Sequence, residues 1–326
     1  MGNKPFLLSP AYMDYLWGGQ RLKDEFHKDT DVFPLAEAWE CSTHPDGPSL
    51  VVSGDLAGRR LDEVISEHPE YLGSHPGTIG ELPILIKLID ASKDLSVQVH
   101  PTDEYASIHE DGESGKSEMW YVLDAAPGAE LIYGLKQDLS REELARYLEH
   151  GDVNRVLRHI PIEKDDVFYI PAGTIHALGD GALVAEIQQN SNLTYRMYDY
   201  ERLDKDGQKR ALHLEKALDV ASLTRSVSPR QPMRVLRYQP GMARELLCRC
   251  KYFEVHRMLM NTSHRQKLTF SADALSFRVL LCIEGEGCME FEGESLDFIK
   301  GDCIFVPADS VVCELSGSAH FLDVRG

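Results

Sequence analysis

The chain has 326 residues, of which 43% are hydrophobic, enough to bury one large core or two smaller ones. Its formal net charge of -19 argues against nucleic acid or an anionic membrane as a partner, because both bind basic surfaces. No apolar run approaches the length of a membrane span, and the N-terminal segment lacks the hydrophobic region of a signal peptide. We therefore expect a globular cytoplasmic protein.

Short runs of β-branched and aromatic residues predict a mainly β fold. Gly, Pro and Asp separate these runs, and examples in chain order are LIYGL, DVFYIPAG, ALVAEIQQ, FRVLLCIEGEG and CIFVPAD. This pattern is typical of β-barrels and β-sandwiches.

Four polar side chains between residues 98 and 176 are potential metal ligands. Gln98 and His100 are two residues apart on a predicted strand, so both project from the same face. Glu118 opens another predicted strand, and His176 follows a turn in IPAGTIH. Two imidazoles, a carboxylate and an amide oxygen suit Zn2+, with Fe(II), Mn2+ or Ni2+ as competitors. The alternative is that these are separately hydrogen-bonded polar residues, but the combination favours a metal.

Helices are predicted as short insertions between strands. Ser140 and Glu143 form a capping box ahead of an apolar face, and Asp152 is placed to cap a second helical turn. Residues 213–222 carry apolar side chains at helical spacing and predict a third helix.

An internal repeat links two distant parts of the chain. The segment DDVFYIPAGTIH, residues 165–176, aligns without a gap with GDCIFVPADSVV, residues 301–312. Each copy resembles the second motif of the cupin fold, a jelly-roll β-barrel, so two copies predict a bicupin. Val312 replaces His176 in the second copy, which predicts that only the first barrel binds metal. The second barrel is expected to be structural or to support a dimer.

These patterns predict two domains and a connector. We assign residues 1–224 to a catalytic, metal-binding cupin domain with helical insertions and residues 238–326 to a second, metal-free cupin domain. Residues 225–237 combine two prolines with repeated Arg, which predicts a linker. A phosphate-binding patch is an alternative use of these charges, but a solvated connector is the favoured interpretation.

Several segments together resemble the type I mannose-6-phosphate isomerases, particularly their short bacterial form. The resemblance runs almost end to end, and the block LIKLIDA…LSVQVHP is its most specific part. The other matching segments are YLWGGQRL, AEAWECSTHPDGPS, GKSEMWY, IPAGTIHALG and EIQQNSNLTYRMYDYERL.

The resemblance implies a zinc-dependent aldose–ketose isomerase that interconverts mannose 6-phosphate and fructose 6-phosphate, with one Zn2+ per chain. Arg196 matches the family's active-site arginine, and Lys116 matches a lysine in its GHKPE-like segment. Gly115 precedes Lys116 here, so the histidine of the longer forms has no counterpart. The residues that match the family's zinc ligands are Gln98, His100, Glu118 and His176.

The residue types suit this chemistry independently. Isomerisation through an enediol moves a proton between C1 and C2, so the site must stabilise negative charge on a carbonyl oxygen. Arg196 stays protonated and is better suited to charge stabilisation or phosphate binding than to general-base work. Its alternative role is a structural salt bridge with Asp199 or Glu201. Lys116 is a candidate proton donor or phosphate contact.

The proton-transfer base is not fixed by the sequence. A metal-bound water, His44 and Glu40 are further candidates, and each of the two side chains could equally be a hydrogen-bonded turn residue. Two other functional classes also remain open: an Fe(II) cupin oxygenase, and a sugar-phosphate-binding cupin without turnover. The expected partner is a small sugar phosphate, and the expected assembly is a monomer or homodimer.

Overall fold

The computed structural model describes residues 2–75, 80–204, 207–227, 229, 235–264 and 268–326. In this part of the chain the predicted mainly β fold with short helical insertions is confirmed. None of the described helices is long and apolar enough to cross a lipid bilayer. The α-helices are Arg21–Phe26 (α1), Leu61–Glu67 (α2), Asp103–His109 (α3), Arg141–Glu149 (α4) and Leu214–Val220 (α5).

The strands are short, apart from two long ones in the second half. In chain order they are Phe6–Ser9 (β1), Ala11–Met13 (β2), Glu37–Cys41 (β3), Leu50–Val51 (β4), Ile84–Ala91 (β5), Val97–Val99 (β6), Glu118–Ala125 (β7), Glu130–Leu135 (β8), Leu157–Pro161 (β9), Val167–Ile170 (β10), His176–Leu178 (β11), Ala182–Gln189 (β12), Tyr195–Tyr198 (β13), Leu236–Gln239 (β14), Met242–Arg249 (β15), Glu254–Asn261 (β16), Leu268–Phe270 (β17), Arg278–Phe291 (β18), Glu294–Ile299 (β19), Cys303–Val306 (β20) and Cys313–Arg325 (β21).

These strands form three antiparallel sheets. A six-stranded sheet has the order β10-β7-β12-β5-β3-β2, and a five-stranded sheet has the order β13-β6-β11-β8-β9. A ten-stranded sheet contains β14–β21 together with β1 and β4. The first two sheets are built from strands between residues 11 and 198, and the third comes mainly from strands between residues 236 and 325.

The six-stranded sheet is covered on both faces. On β7, Trp120 and Val122 belong to an apolar cluster shared with the five-stranded sheet. The alternate residue Tyr121 belongs to a second cluster, which it shares with Phe305 and Leu322 of the ten-stranded sheet. Because side chains alternate along a strand, Glu118 shares the Trp120 face, which looks toward the five-stranded sheet.

The helix predictions are confirmed at two of three places. Ser140 and Glu143 form the predicted capping box of α4, and α5 lies within residues 213–222. The cap predicted at Asp152 is wrong, because its side chain makes no capping hydrogen bond to the 3-10 turn Val153–Arg155. A single turn is too short to gain much from a cap, and the chain enters β9 directly after it.

The internal repeat has a structural counterpart. Its apolar strand is β10 in the first copy and β20 in the second, at matching positions. The first copy opens β11 at His176, whereas in the second copy Val312 lies just before β21 with 66% of its surface exposed. The two copies therefore share a backbone pattern and differ at the ligand position.

The two ends of the chain meet in one sheet. Strand β1 pairs antiparallel with β20, and the rings of Phe6 and Phe305 stack at 5.2 Å. The domain boundaries at 1–224 and 238–326 stay a prediction. Of the linker predicted over 225–237, residues 228 and 230–234 lie outside the described residues.

Candidate active site

The side chains expected to bind metal lie between the six-stranded and five-stranded sheets. His176 and Gln98 are direct cross-strand neighbours on β11 and β6, and His100 follows the end of β6. Glu118 faces them from the first position of β7. His176 follows the predicted turn and is the first residue of β11. Its rigid backbone places the imidazole directly beside Gln98.

The four predicted ligands are brought together. The ligand atoms of His100, Glu118 and His176 all lie within 4.8 Å of one another, and all three side chains are buried. His176 Nε2 is 3.2 Å from Glu118 Oε1, and His100 Nε2 is 3.5 Å from Glu118 Oε2. Gln98 Nε2 is 3.4 Å from His176 Nε2. A half turn of the Gln98 amide exchanges its nitrogen and oxygen, which would direct the oxygen into the same space.

Nδ1 of each imidazole is within hydrogen-bond distance of a backbone carbonyl oxygen. His100 Nδ1 lies 2.7 Å from the carbonyl oxygen of Leu193, and His176 Nδ1 lies 2.8 Å from that of Thr174. Donation from Nδ1 to these carbonyls leaves the Nε2 lone pairs directed at the site, as in metal-binding histidines. His100 Nε2 is buried and has no hydrogen-bond partner among the described residues. An orphaned buried nitrogen of this kind fits a metal ligand.

The charge states also suit a cation. Burial, reinforced by the charge of Lys116, lowers the pKa of His100 to about 3, and burial lowers the pKa of His176. Burial alone would raise the pKa of Glu118, but the charge of Lys116, together with the neighbouring His176 and His100, holds it well below its usual value. Neutral imidazoles and an ionised carboxylate are the forms that bind metal ions.

A buried chain of alternating charges adjoins the ligands. Lys116 Nζ is 2.9 Å from Glu118 Oε2 and 3.7 Å from Glu186 Oε1. Lys87 Nζ is 3.5 Å from Glu186 Oε1 and 3.6 Å from Glu37 Oε2. Such pairs are costly to bury, so their clustering at a cavity wall indicates a functional role.

Sequence reasoning missed three members of this chain. Lys87, Glu37 and Glu186 lie inside the segments LIKLIDA, AEAWE and EIQQ, which were used only as family matches. A signal was present, because each places a charged residue beside apolar residues in a strand that is buried along its whole length.

Arg196 lies next to the predicted ligand Gln98. It is the cross-strand neighbour of Gln98 on β13, and its guanidinium donates to Ser96 Oγ at 3.3 Å and to the carbonyl of Ala211 at 2.9 Å. Among the described residues, Arg196 makes no ion pair with Asp199 or Glu201, the partners of its alternative role. Those carboxylates pair instead with neighbouring cations, namely Arg202, Arg210 and Lys209.

A cavity of about 260 Å³ opens beside these groups. Its wall is formed by the amide of Gln98, by four cations, by two carboxylates and by an aromatic pair in which Tyr15 and Trp17 stack at 4.7 Å. The charged lining residues are Lys87, Lys116, Arg196, Arg210, Glu37 and Glu186. A concave, strongly polar wall next to a candidate metal centre suits a small charged substrate.

Glu40 and His44 lie away from this cavity. Glu40 is buried against Lys28 at 2.7 Å, and Lys28 also donates to the carbonyl of Gly301, in the turn between β19 and β20. His44 lines a separate cavity of about 690 Å³. Neither side chain therefore reaches the ligands, and their interpretation as hydrogen-bonded structural residues is the one that fits.

Comparison with known proteins identifies the family. The model described as "Phosphomannose isomerase type I, catalytic domain" matches residues 6–124, and "Mannose-6-phosphate isomerase, cupin domain" matches residues 244–325. The mannose-6-phosphate isomerase ManA of Bacillus subtilis (strain 168) is 37% identical over 321 residues, which cover 98% of each chain. The mannose-6-phosphate isomerase of Streptococcus mutans is 36% identical and covers 93% of this chain and 92% of that protein.

A solved structure shows the same relationship. The crystal structure of the mannose 6-phosphate isomerase from Bacillus subtilis matches with a TM-score of 0.90 at 36% identity, covering 99% of this chain and all of that one. The resemblance seen in the sequence is thus confirmed over the full length. The chain belongs to the type I mannose-6-phosphate isomerases.

Proposed function

We propose that the chain is a zinc-dependent aldose–ketose isomerase that interconverts mannose 6-phosphate and fructose 6-phosphate through an enediol. The observation that carries this proposal is a cluster of three buried ligand atoms beside a cavity lined by Gln98, Lys116 and Arg196. It is supported by end-to-end similarity to proteins whose names state this isomerase activity.

We propose that one Zn2+ is held by two imidazoles, a carboxylate and the Gln98 amide oxygen. With Glu118 as the single charged ligand, a divalent ion would keep about one net positive charge. Bound there, it would supply Lewis acidity toward the sugar's carbonyl and hydroxyl oxygens. The proposed ligands are Gln98, His100, Glu118 and His176.

The cations of the cavity would bind and orient the sugar phosphate. Arg196 and Arg210 both line the cavity wall, so the local field there attracts an anion although the whole chain carries a net charge of -19. Lys116 Nζ lies close to the carboxylate of Glu118, where a reacting oxygen could reach both the lysine and the ligand cluster. We assign proton transfer to Lys116 and stabilisation of the developing oxyanion to Arg196.

We further propose how the chain is organised around this site. Residues 1–224 would carry the chemistry, and residues 238–326 would form a domain without a metal of its own, since the repeat places Val312 where the first copy has His176. The proposed location is the cytoplasm, where sugar phosphates are made and used, and the proposed assembly is a monomer or homodimer.

A coupled assay tests the proposed reaction. Purified enzyme should form fructose 6-phosphate from mannose 6-phosphate, lose this activity on chelation and contain zinc when isolated without added metal. No turnover after zinc is restored would contradict the proposal. Oxygen consumption with tightly bound iron would instead identify a cupin oxygenase, and sugar-phosphate binding without product would identify a binding protein.

A further inference from the structure

The turn between β15 and β16 of the ten-stranded sheet reaches the neighbourhood of the ligands. Tyr252 Oη donates to Asp103 Oδ2 at 2.7 Å, and Lys251 Nζ lies 3.1 Å from the same oxygen. Asp103 is the first residue of α3 and lies three positions after His100. Two segments 149 residues apart are thus joined next to the proposed active site.

The second oxygen of Asp103 continues this connection toward Lys116. Asp103 Oδ1 accepts from the backbone N–H of Gly115 at 3.1 Å and from Gln189 Nε2 at 2.9 Å. Gln189 Oε1 in turn accepts from the backbone N–H of Ser117 at 2.8 Å. One carboxylate therefore fixes, directly or through one amide, the peptide groups on both sides of Lys116.

The remaining peptide group of this segment is fixed as well. The N–H of Lys116 donates to the carbonyl of Pro101 at 3.0 Å. At Gly115 the backbone approaches so closely that an added Cβ would lie 2.5 Å from Asp103 N. The segments 101–103 and 115–117 are therefore closely packed against each other, so a displacement of Asp103 would also displace Lys116.

The acceptor that receives these bonds is charged. Burial raises the pKa of Asp103, but hydrogen bonds from Tyr252, Gln189 and Lys251 hold it below its usual value. Hydrogen bonds to an ionised acceptor are stronger than those between neutral groups. The contact of Lys251 contributes less, because its side chain is largely exposed to solvent.

We propose that Tyr252 is a positioning residue for the isomerase site: its hydroxyl holds Asp103, which fixes residues 115–117 and hence the place of Lys116. This inference rests on the proposed function for its effect on catalysis. It would give the turn between β15 and β16 an indirect, positioning role in the reaction. Tyr252 touches neither ligand nor substrate cavity, so it acts only through Asp103.

The test compares Tyr252→Phe with Tyr238→Phe. Both changes remove one hydroxyl from the ten-stranded sheet, but Tyr238 is 77% exposed and serves as the matched control. We expect Tyr252→Phe to lower kcat about threefold to tenfold, with KM and zinc content unchanged, as for loss of one hydrogen bond that orders the reacting groups. Asp103→Asn combined with Tyr252→Phe should be no slower than Asp103→Asn alone, because both act through one contact.

Hydrogen exchange tests the same link without relying on turnover. Amide exchange in residues 114–118 should be faster in Tyr252→Phe than in wild type and in Tyr238→Phe. Unchanged exchange overturns the inference, and so does unchanged kcat in an active enzyme. If the wild type forms no fructose 6-phosphate, the proposed function fails, while the exchange measurement still decides whether Tyr252 holds this segment.

Discussion

Lys116 Nζ lies 2.9 Å from Glu118 Oε2, so the cation expected to transfer a proton touches the carboxylate expected to bind the metal. The two residues are separated only by Ser117, at the point where the chain enters β7. Glu118 also faces both imidazoles, at 3.2 Å and 3.5 Å. A metal ion bound to Glu118 would share its charge and weaken this ion pair, which would leave the ammonium group available to the substrate.

Replacement of Lys116 by Met should therefore lower kcat strongly. General acid–base groups contribute about 100-fold or more to catalysis, so we expect a loss of at least that size with zinc content retained. Lys216→Met, at a partly exposed surface position, is the matched control and should keep wild-type turnover. A Lys116→Met enzyme within threefold of wild type would remove proton transfer from this residue.

Replacement of Arg196 by Ala should lower turnover by more than about tenfold while leaving zinc bound, because its guanidinium lines the cavity beside Gln98. Steady-state kinetics and metal analysis on the same preparation check both parts. Arg155→Ala, at a site 74% exposed, should behave as wild type. Zinc loss in Arg196→Ala would show that Arg196 supports the site structurally instead.

Replacement of Glu118 by Gln should lower the zinc content well below one ion per chain. The change removes the only negative charge among the four proposed ligands, although the side chain keeps its shape. Metal analysis after dialysis is the measurement. Glu113→Gln, five residues earlier at an exposed position, should retain full zinc. Equal zinc in both variants would place the ion elsewhere.

The buried pair of Glu40 and Lys28 predicts a pH-dependent stability. Burial raises the pKa of Glu40 from 4.5 to about 7 although Lys28 opposes this shift. The folded state thus binds the proton more tightly, so the stability from this group is present below pH 4.5 and is lost as the pH rises to about 7. Over that range of pH, the free energy of unfolding of the wild type, measured with urea, should fall relative to that of Glu40→Gln. If the free energy of unfolding changes with pH in the same way in both proteins, the raised pKa of Glu40 is contradicted.

The contact between the chain ends predicts a large effect on folding. Phe305 is fully buried, and its ring stacks on Phe6 at 5.2 Å and on Phe277 at 5.4 Å. Phe305→Ala should lower the free energy of unfolding by about 3–5 kcal/mol, as for other buried phenylalanines. Val312→Ala, at an exposed site, should change it by less than about 0.5 kcal/mol. A change of less than about 1 kcal/mol in Phe305→Ala would contradict the prediction, because it would mean that neighbouring side chains fill the space left by the ring.

The predicted metal ligands could be identified from the sequence because each is marked by residues close to it in the chain. Gln98 and His100 share a strand face through a period of two, and Glu118 opens a strand whose apolar residues mark it clearly. The repeat likewise predicted that one strand lies at corresponding positions in its two copies, and these strands are β10 and β20. The structure brings the side chains of the four predicted ligands together, and their role as metal ligands stays a prediction.

The contacts that the sequence did not predict depend on how segments far apart in the chain pair with one another. Lys87 meets Glu186 because β5 and β12 pair so that these residues are directly opposite each other. No local pattern states that register, and the same holds for Tyr252 with Asp103 and for β1 with β20. The missed residues of the site are therefore those whose partners are fixed by long-range pairing rather than by spacing.

Zinc removal and restoration tests the central claim most directly. Chelated enzyme should form no fructose 6-phosphate from mannose 6-phosphate, and one equivalent of Zn2+ per chain should restore turnover to the level of the untreated enzyme. The claim is contradicted if the metal-free enzyme keeps its activity, or if turnover stays absent after zinc has been shown to bind.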